Sequence, residues 1–358
     1  MQTNITKQIN VRLATPEDAH LPAFDNTKLT AINTCPVWGL LRYHMHKKMP
    51  GESRALALEA GGAMHDVFAA IRLLELLEIE KLRDHFEHHG KRLFGEECFE
   101  GMKVYIEDEE DERTRHINFA LQALHSSGYY DDPNDKRRTL ANMEACVIAY
   151  YDRYEFGRYP LFIADRQNPE CLIGVEVPFE LVIEFKTNDT CHSYRFTGKI
   201  DGLHHMSVDN RDLCVQENKT TSYLRPEWVE QYALAHQVTG YCVAAALITG
   251  EPCHNAFIRG LQIPLKQMHG ESVVREPVFR EDYKIQRWFD WFRHTTELFE
   301  KYKDDPMSAP MYTHSCNRFF RTCSFIALCD SPDDEKQGII EEMVHDEWNP
   351  LHEGGLDD

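Results

Sequence analysis

Asp201, Glu217 and Lys219 are the first residues in this sequence that can be read as one reactive group. Two short segments with strand character, Tyr194 to Ile200 and Leu213 to Asn218, flank the turn-rich stretch from Ser207 to Asp212, which predicts a hairpin. Asp201 ends the first segment. Glu217 and Lys219 are two residues apart in the second, so the period of a strand points both to one face. Two carboxylates and one ammonium then converge. A hard cation such as Mg²⁺ or Mn²⁺ takes oxygen ligands and keeps waters for a substrate phosphate, which leaves the lysine to serve the nucleophile or the phosphate. An acid followed two residues later by a lysine is common in charged proteins, so this spacing gains meaning only from what accompanies it.

The second reactive set is sulfur. Cys316, Cys323 and Cys329 fall in a loop-like stretch with spacings of seven and six positions, one ligand short of a tetrathiolate site. Cys35 is the fourth candidate, because it sits beside Pro36 at a helix end and not in an apolar stripe. Four thiolates suit an iron–sulfur cluster or structural Zn²⁺, and the absence of paired Cys-x2-4-Cys knuckles favours the cluster. Cys146, Cys214 and Cys242 have apolar neighbours and read as core residues. His204-His205 reads as no metal pair, since neighbours on a strand face opposite ways.

The elements that must position these groups follow from pattern. Asp25 caps a short helix ending before Cys35-Pro36, and a second helix is expected over Val37 to Lys47. A long helix over Arg54 to Leu77 carries Gly61-Gly62-Ala63-Met64-His65 in its interior; two glycines there imply close packing or an approach by something else. Helices are expected over Leu82 to Phe94, Thr114 to Ser126 and Arg138 to Phe156, strands over Leu172 to Glu184 and Asn255 to Ile263. Further helices are expected over Arg225 to Ile248, where Gln237 and Tyr241 share a face, and over Asp282 to Asp304. This divides the chain into an N-terminal helical part (1–81), a helical insertion (82–165), a core (166–305), a cysteine cluster (306–329) and an acidic tail (330–358) expected to be disordered.

The net charge of −20 is concentrated. Residues 330–358 hold eleven acids against one lysine, and residues 96–112 nine against one, so the rest is near neutral and a nucleic-acid groove is not excluded. No apolar run reaches the length of a membrane span, and no N-terminal signal segment is evident, which predicts a soluble cytoplasmic protein.

The ordered set Cys35-Pro36, Gly61-x3-His65, Gly198-x2-Asp201-Gly202, Glu217-x-Lys219, Gln237-x3-Tyr241 and the three terminal cysteines resembles the PD-(D/E)XK nuclease superfamily. Within it, the set is most similar to the RecB-like iron–sulfur branch that includes CRISPR-associated adaptation exonucleases, AddB and phage-encoded relatives. The resemblance implies an α/β fold of the restriction-endonuclease type, a central mixed sheet flanked by helices, with the helical insertion and an iron–sulfur staple. It implies that His65, Asp201 and Glu217 bind Mg²⁺ or Mn²⁺, that Lys219 is catalytic alongside Glu217 and Asp201, and that Gln237 and Tyr241 contact DNA or support the site. Cys35, Cys316, Cys323 and Cys329 would hold a [4Fe-4S] cluster. The implied activity is a metal-dependent DNA nuclease, an exonuclease on single-stranded DNA or free ends in recombination, repair or CRISPR adaptation, with a helicase, recombinase or integrase as partner. The alternative is a non-catalytic DNA-binding or assembly subunit of the same fold.

Overall fold

The structure is a computed structural model that describes residues 9–51, 56–79, 82–108, 110–186, 191–265, 272–318 and 321–349. In chain order these form β1 (Ile9–Leu13), β2 (Ala23–Phe24), α1 (Asn26–Thr34), α2 (Pro36–Tyr43), β3 (Lys47–Lys48), α3 (Leu56–Leu73), α4 (Arg83–Phe94), α5 (Glu96–Lys103), α6 (Glu112–Ser126), α7 (Leu140–Asp152), β4 (Val175–Lys186) and β5 (Cys191–His205). There follow β6 (Leu213–Thr221), α8 (Pro226–Glu230), α9 (His236–Thr249), β7 (Cys253–Gln262), β8 (Val273–Phe279), α10 (Asp282–Tyr302), β9 (Asn317–Arg318), β10 (Arg321–Thr322), α11 (Ile326–Asp330), α12 (Asp333–Glu342) and β11 (Val344–His345). The class is α/β. Among the described residues a seven-stranded mixed sheet runs β1-β4-β5-β6-β7-β8, with β2 parallel to β5. No helix among them is long and apolar enough to cross a membrane.

The division does not follow chain order. One compact unit takes Met1–Arg54, Glu180–Gly198 and Asp282–His352; the other takes Ala55–Phe179, Lys199–Glu281 and Glu353–Asp358. β4 and β5 each contribute a stretch to both. In the second unit the expected hairpin is present: β5 and β6 pair antiparallel with Gly202 opposite Gln216, and Ser207 N–H closes the turn on Asn210 O at 3.0 Å. β7 lies parallel to β6, and β8, which sequence reading missed, is an edge strand containing Pro277.

α3 is the post of this unit. One side packs Ala63, Met64, Val67 and Phe68 against Met143, Cys146 and Val147 of α7, and the other packs Ala70 and Leu73 against Phe86, Phe99 and Phe119 of α4 to α6. Each of the valine, leucine, methionine and phenylalanine side chains among them contributes about 1.5–3 kcal/mol by leaving water. The helical stretch read as an insertion is therefore part of the core that fixes α3. From its far end, Arg72, 2% exposed, donates to Gly174 O (3.1 Å) and Gln216 Oε1 (2.9 Å).

Three expectations are corrected. α5 occupies part of the acidic stretch read only as charge. The helix expected over Arg225 to Ile248 breaks at Ala235, whose extended backbone separates a 3₁₀ turn (Gln231–Leu234) from α9, because buried Arg280 claims the carbonyls of Tyr232 and Ala233 at 2.7 and 3.1 Å. The acidic tail, expected to be disordered, forms α12 and β11; β11 pairs with β3, and Asp346 binds Arg42 at 2.6 Å. Residues 350–358 of that tail lie outside the described residues.

Gly174 marks the tightest backbone approach in this unit. A Cβ there would lie 1.9 Å from Leu203 O, whereas one at Gly101 would meet nothing within 4 Å. Gly174→Ala should destabilise the protein by on the order of 3 kcal/mol in urea unfolding and Gly101→Ala should not; equal midpoints for the two would refute this packing.

Candidate metal centre

Four elements of one unit bring the candidate side chains together. β5 supplies Lys199 and Asp201, and β6 supplies Glu217 and Lys219; Gly202 pairs with Gln216, so Asp201 and Glu217 are the next pair in register and share a face. Asn218 N–H donates to Asp201 Oδ2 at 2.6 Å, which fixes that carboxylate from the neighbouring strand. α3 brings His65, whose Nδ1 lies 3.4 Å from Asp201 Oδ1. Gly202 is required: a Cβ would stand 3.0 Å from Arg72 Nε and 3.2 Å from Gln216 Cβ.

The fourth contribution is Glu176 of β4, a residue that sequence reading missed. Its backbone is left-handed, with φ at 45°, a conformation that is strained for a residue with a Cβ by roughly 1–3 kcal/mol. The reversal buries Val175, Glu176 and Val177 in succession where an ordinary strand would alternate. Glu176 Oε2 meets Lys199 Nζ at 3.0 Å, and donor atoms of His65, Glu176 and Asp201 all lie within 4.8 Å of one another.

Burial decides the electrostatics. Glu217 is 1% exposed, and desolvation together with the Asp201 charge pushes its pKa up to about 7 despite an ion pair with Lys219. Desolvation likewise raises Glu176 to about 6, against the pull of Lys199. Burial opposes the charge on His65 and on Asp201 too, yet their mutual attraction wins: His65 rises to about 9 and Asp201 falls below the ordinary carboxylate value. Lys219 is desolvated as well, but Glu217 and Asp201 hold its proton more tightly than usual. Among the described residues, Glu217 Oε2 and Glu176 Oε1 are buried without a hydrogen-bond partner. Such orphaned acceptors in an oxygen-rich set with one imidazole fit a Mg²⁺ or Mn²⁺ ion.

The other expected residues are placed as follows. Gln237 Nε2 donates to Tyr241 OH at 3.0 Å along α9, and Tyr241 lies edge-on to Phe179. A Cβ at Gly61 would stand at ordinary contact distance, 3.6 Å, from Thr220 Oγ1, and one at Gly62 would meet nothing within 4 Å. Their absent side chains leave room one turn from His65 instead of allowing a close approach. His204 and His205 each bind a backbone carbonyl through Nδ1.

In the other unit the four expected cysteines do gather. Cys35 links α1 to α2 in an extended conformation, β9 and β10 place Cys316 and Cys323 at the feet of a small hairpin, and Cys323 N–H donates to Cys316 O at 2.8 Å. Cys329 lies on α11. Burial, followed by the proximity of Cys35, Cys323 and Cys316, raises its pKa to about 11. Among the described residues no three of these thiols have their sulfurs within 4.8 Å of one another.

No protein-family model and no curated protein matches this chain. Among solved structures, the crystal structure of SSO0001 is similar at 11% identity over 34% of this chain, with a TM-score of 0.23. The chain spans half of that protein's length, and a likeness this slight says nothing of fold or function.

The raised Glu217 value carries a sign. With a folded value of about 7 against an ordinary 4.5, ionisation of Glu217 removes stability as pH rises from 4.5 through 7. In EDTA at pH 8, Glu217→Gln should therefore melt a few degrees above the wild type, and the gain should shrink at pH 5, where folded Glu217 is itself protonated. A variant no more stable than wild type at pH 8, or a gain undiminished at pH 5, would remove this account.

Proposed function

We propose that this chain is a metal-dependent deoxyribonuclease of the PD-(D/E)XK superfamily, RecB-like iron–sulfur branch. The observation that carries the reading is the convergence of His65, Glu176 and Asp201 donor atoms within 4.8 Å, beside the buried Glu217–Lys219 pair. His65, Glu176, Asp201 and Glu217 would hold Mg²⁺ or Mn²⁺, which when bound polarises a phosphate and lowers the pKa of a water. Asp201 is held for this task by His65 and by Asn218 N–H. Lys219 retains its proton more tightly than a free lysine, so its role is that of a fixed cation that orients the attacking water or neutralises developing charge, not that of a general base. By resemblance the substrate is DNA, single-stranded and degraded from an end, in recombination, repair or CRISPR adaptation, with Gln237 and Tyr241 contacting DNA or supporting the site.

Cys35, Cys316, Cys323 and Cys329 are proposed to bind a structural [4Fe-4S] cluster. The sequence lacks the paired Cys-x2-4-Cys knuckles usual at zinc sites, which supports the cluster over a single Zn²⁺. Joining residues so far apart in sequence closes a long loop in the unfolded chain and should stabilise by several kcal/mol.

Two experiments test the proposal. On labelled single-stranded DNA with Mn²⁺, the wild type should cleave, while Asp201→Ala and Lys219→Ala should lose cleavage and keep the far-ultraviolet spectrum of the wild type. Near wild-type cleavage by both variants would end the site assignment, and a wild type that binds but never cleaves would favour the non-catalytic subunit. Anaerobically purified protein should be brown with about four irons per chain. Cys35→Ala or Cys323→Ala should bleach it and lower the melting temperature, and Cys146→Ala, buried in α7, should leave the colour. Colourless protein carrying one zinc would replace the cluster and leave the nuclease proposal standing.

A further inference from the structure

Between Thr221 and α9 the chain runs as an exposed strap, residues 222–235, in which α8 and the following 3₁₀ turn bury no residue. A segment without a core of its own keeps its shape only if it is held from outside, and three clamps hold this one. At its start, Arg137 Nη1 and Gln262 Nε2 both donate to Ser222 O, at 3.3 and 3.0 Å. At its end, Arg280 takes the carbonyls of Tyr232 and Ala233. In the middle, Trp228 occupies the notch left by Gly260, where a Cβ would lie 2.4 Å from the indole. The strap is pinned along its length, so its aromatic rings are oriented before any ligand arrives.

Those rings lead toward the candidate metal centre. Trp228 and Tyr232 form an edge-to-face pair with centroids 5.0 Å apart. The Tyr232 phenol is raised to about 12 by burial and lies within electrostatic reach of Lys219 and Glu217. Tyr223 follows Lys219 by four residues, a span of at most about 13 Å, and the chain turns between them, Tyr223 N–H donating to Thr221 Oγ1 at 3.2 Å. Its ring is 59% exposed, and the guanidiniums of Arg137 and Arg225 stand 5.8 and 5.4 Å from its centroid. An exposed ring with guanidinium planes over it offers a base a stacking surface made of phenol and guanidinium together, and charge to the phosphates on either side of that base. Glu227 and Glu230, farther along the strap, confine that positive character to the Tyr223 end.

We propose that Tyr223, with Arg137 and Arg225, is a stacking platform that seats a base of single-stranded DNA a short distance from the Asp201–Glu217–Lys219 group. The substrate class rests on the nuclease reading; the platform rests on the strap itself. The test measures anisotropy of a fluorescein-labelled oligodeoxythymidine and of a labelled blunt duplex with the full chain in EDTA, followed by cleavage of the same oligonucleotide in Mn²⁺. Tyr223→Ala should weaken oligonucleotide binding by roughly 5- to 100-fold, with Tyr223→Phe within about twofold of wild type and duplex binding unchanged. Arg225→Ala should make the oligonucleotide affinity less dependent on salt, by about 0.7 in the logarithmic slope. Tyr223→Ala binding the oligonucleotide as wild type does, or losing the duplex equally, overturns the platform. A wild type that fails to cleave while Tyr223→Ala still loses oligonucleotide binding overturns the nuclease reading and leaves the platform supported.

Discussion

Three carboxylates, Glu176, Asp201 and Glu217, are buried within electrostatic reach of one another, and most of what surrounds them makes that tolerable. Burying one unpaired charge costs several kcal/mol, so three together would unfold a domain of ordinary stability unless cations, donors or protons answered them. Lys199 answers Glu176, Lys219 answers Glu217, and His65 with Asn218 N–H answers Asp201. The answer is incomplete at the two glutamates, whose pKa values burial raises and each of which keeps an oxygen without a hydrogen-bond donor. Buried oxygens that no donor meets are where a cation can be taken up.

The opposite face of the same strand holds a second polar arrangement. Gln216 and Asn218 alternate with Glu217 and Lys219, so they point away from the carboxylates into the core. There Gln216 Nε2 donates to Asn218 Oδ1 at 2.9 Å, Arg72 reaches Gln216, and Arg259 donates to Tyr150 OH at 2.9 Å while lying over the rings of Tyr150 and Tyr154. Arg72 thus fixes Gln216, the strand partner of Gly202, and Arg259 reaches the x residue of Glu217-x-Lys219 through Tyr150, whose OH donates to Asn218 Oδ1 at 3.3 Å. Side-chain direction on the reactive face is set by hydrogen bonds on the other one.

Much of this was legible because it is written in period. The alternation Glu217, Lys219 and the turn before Leu213 placed the hairpin, and the extended stretch around Cys35-Pro36 separated the first two helices. Glu176 was not legible for the converse reason: in Val175-Glu176-Val177-Pro178-Phe179 a regular strand sends the valines inward and the glutamate to the opposite face, and only the left-handed backbone at Glu176 brings it into the site. Nor does the run from Arg225 to Ile248 announce its break, since the residue that takes the carbonyls there, Arg280, is far along the chain. Counting acids hid α12, where Ile339 and Ile340 are outnumbered by charges but supply the apolar contact.

That contact changes what the acidic stretch is for. The thiols project from breaks between elements, Cys35 from the link between α1 and α2 and Cys316 and Cys323 from the feet of a hairpin, because only there can side chains from distant segments meet without displacing a packed stripe. Apolar side chains pack around them. Val37, Leu41, Phe325 and Leu328 supply one part of the wall, and Met343, with Ile339 and Ile340 packed beside it, supplies another. Asp346 then ties the segment down on Arg42, Trp348 donates to Asp25 Oδ2 at 3.0 Å, and β11 adds its backbone to β3. The charges of α12 face water because its apolar minority packs on the same buried cluster as Cys35, Cys323 and Cys329, so a segment that composition alone assigns to solvent is instead part of the core of this unit.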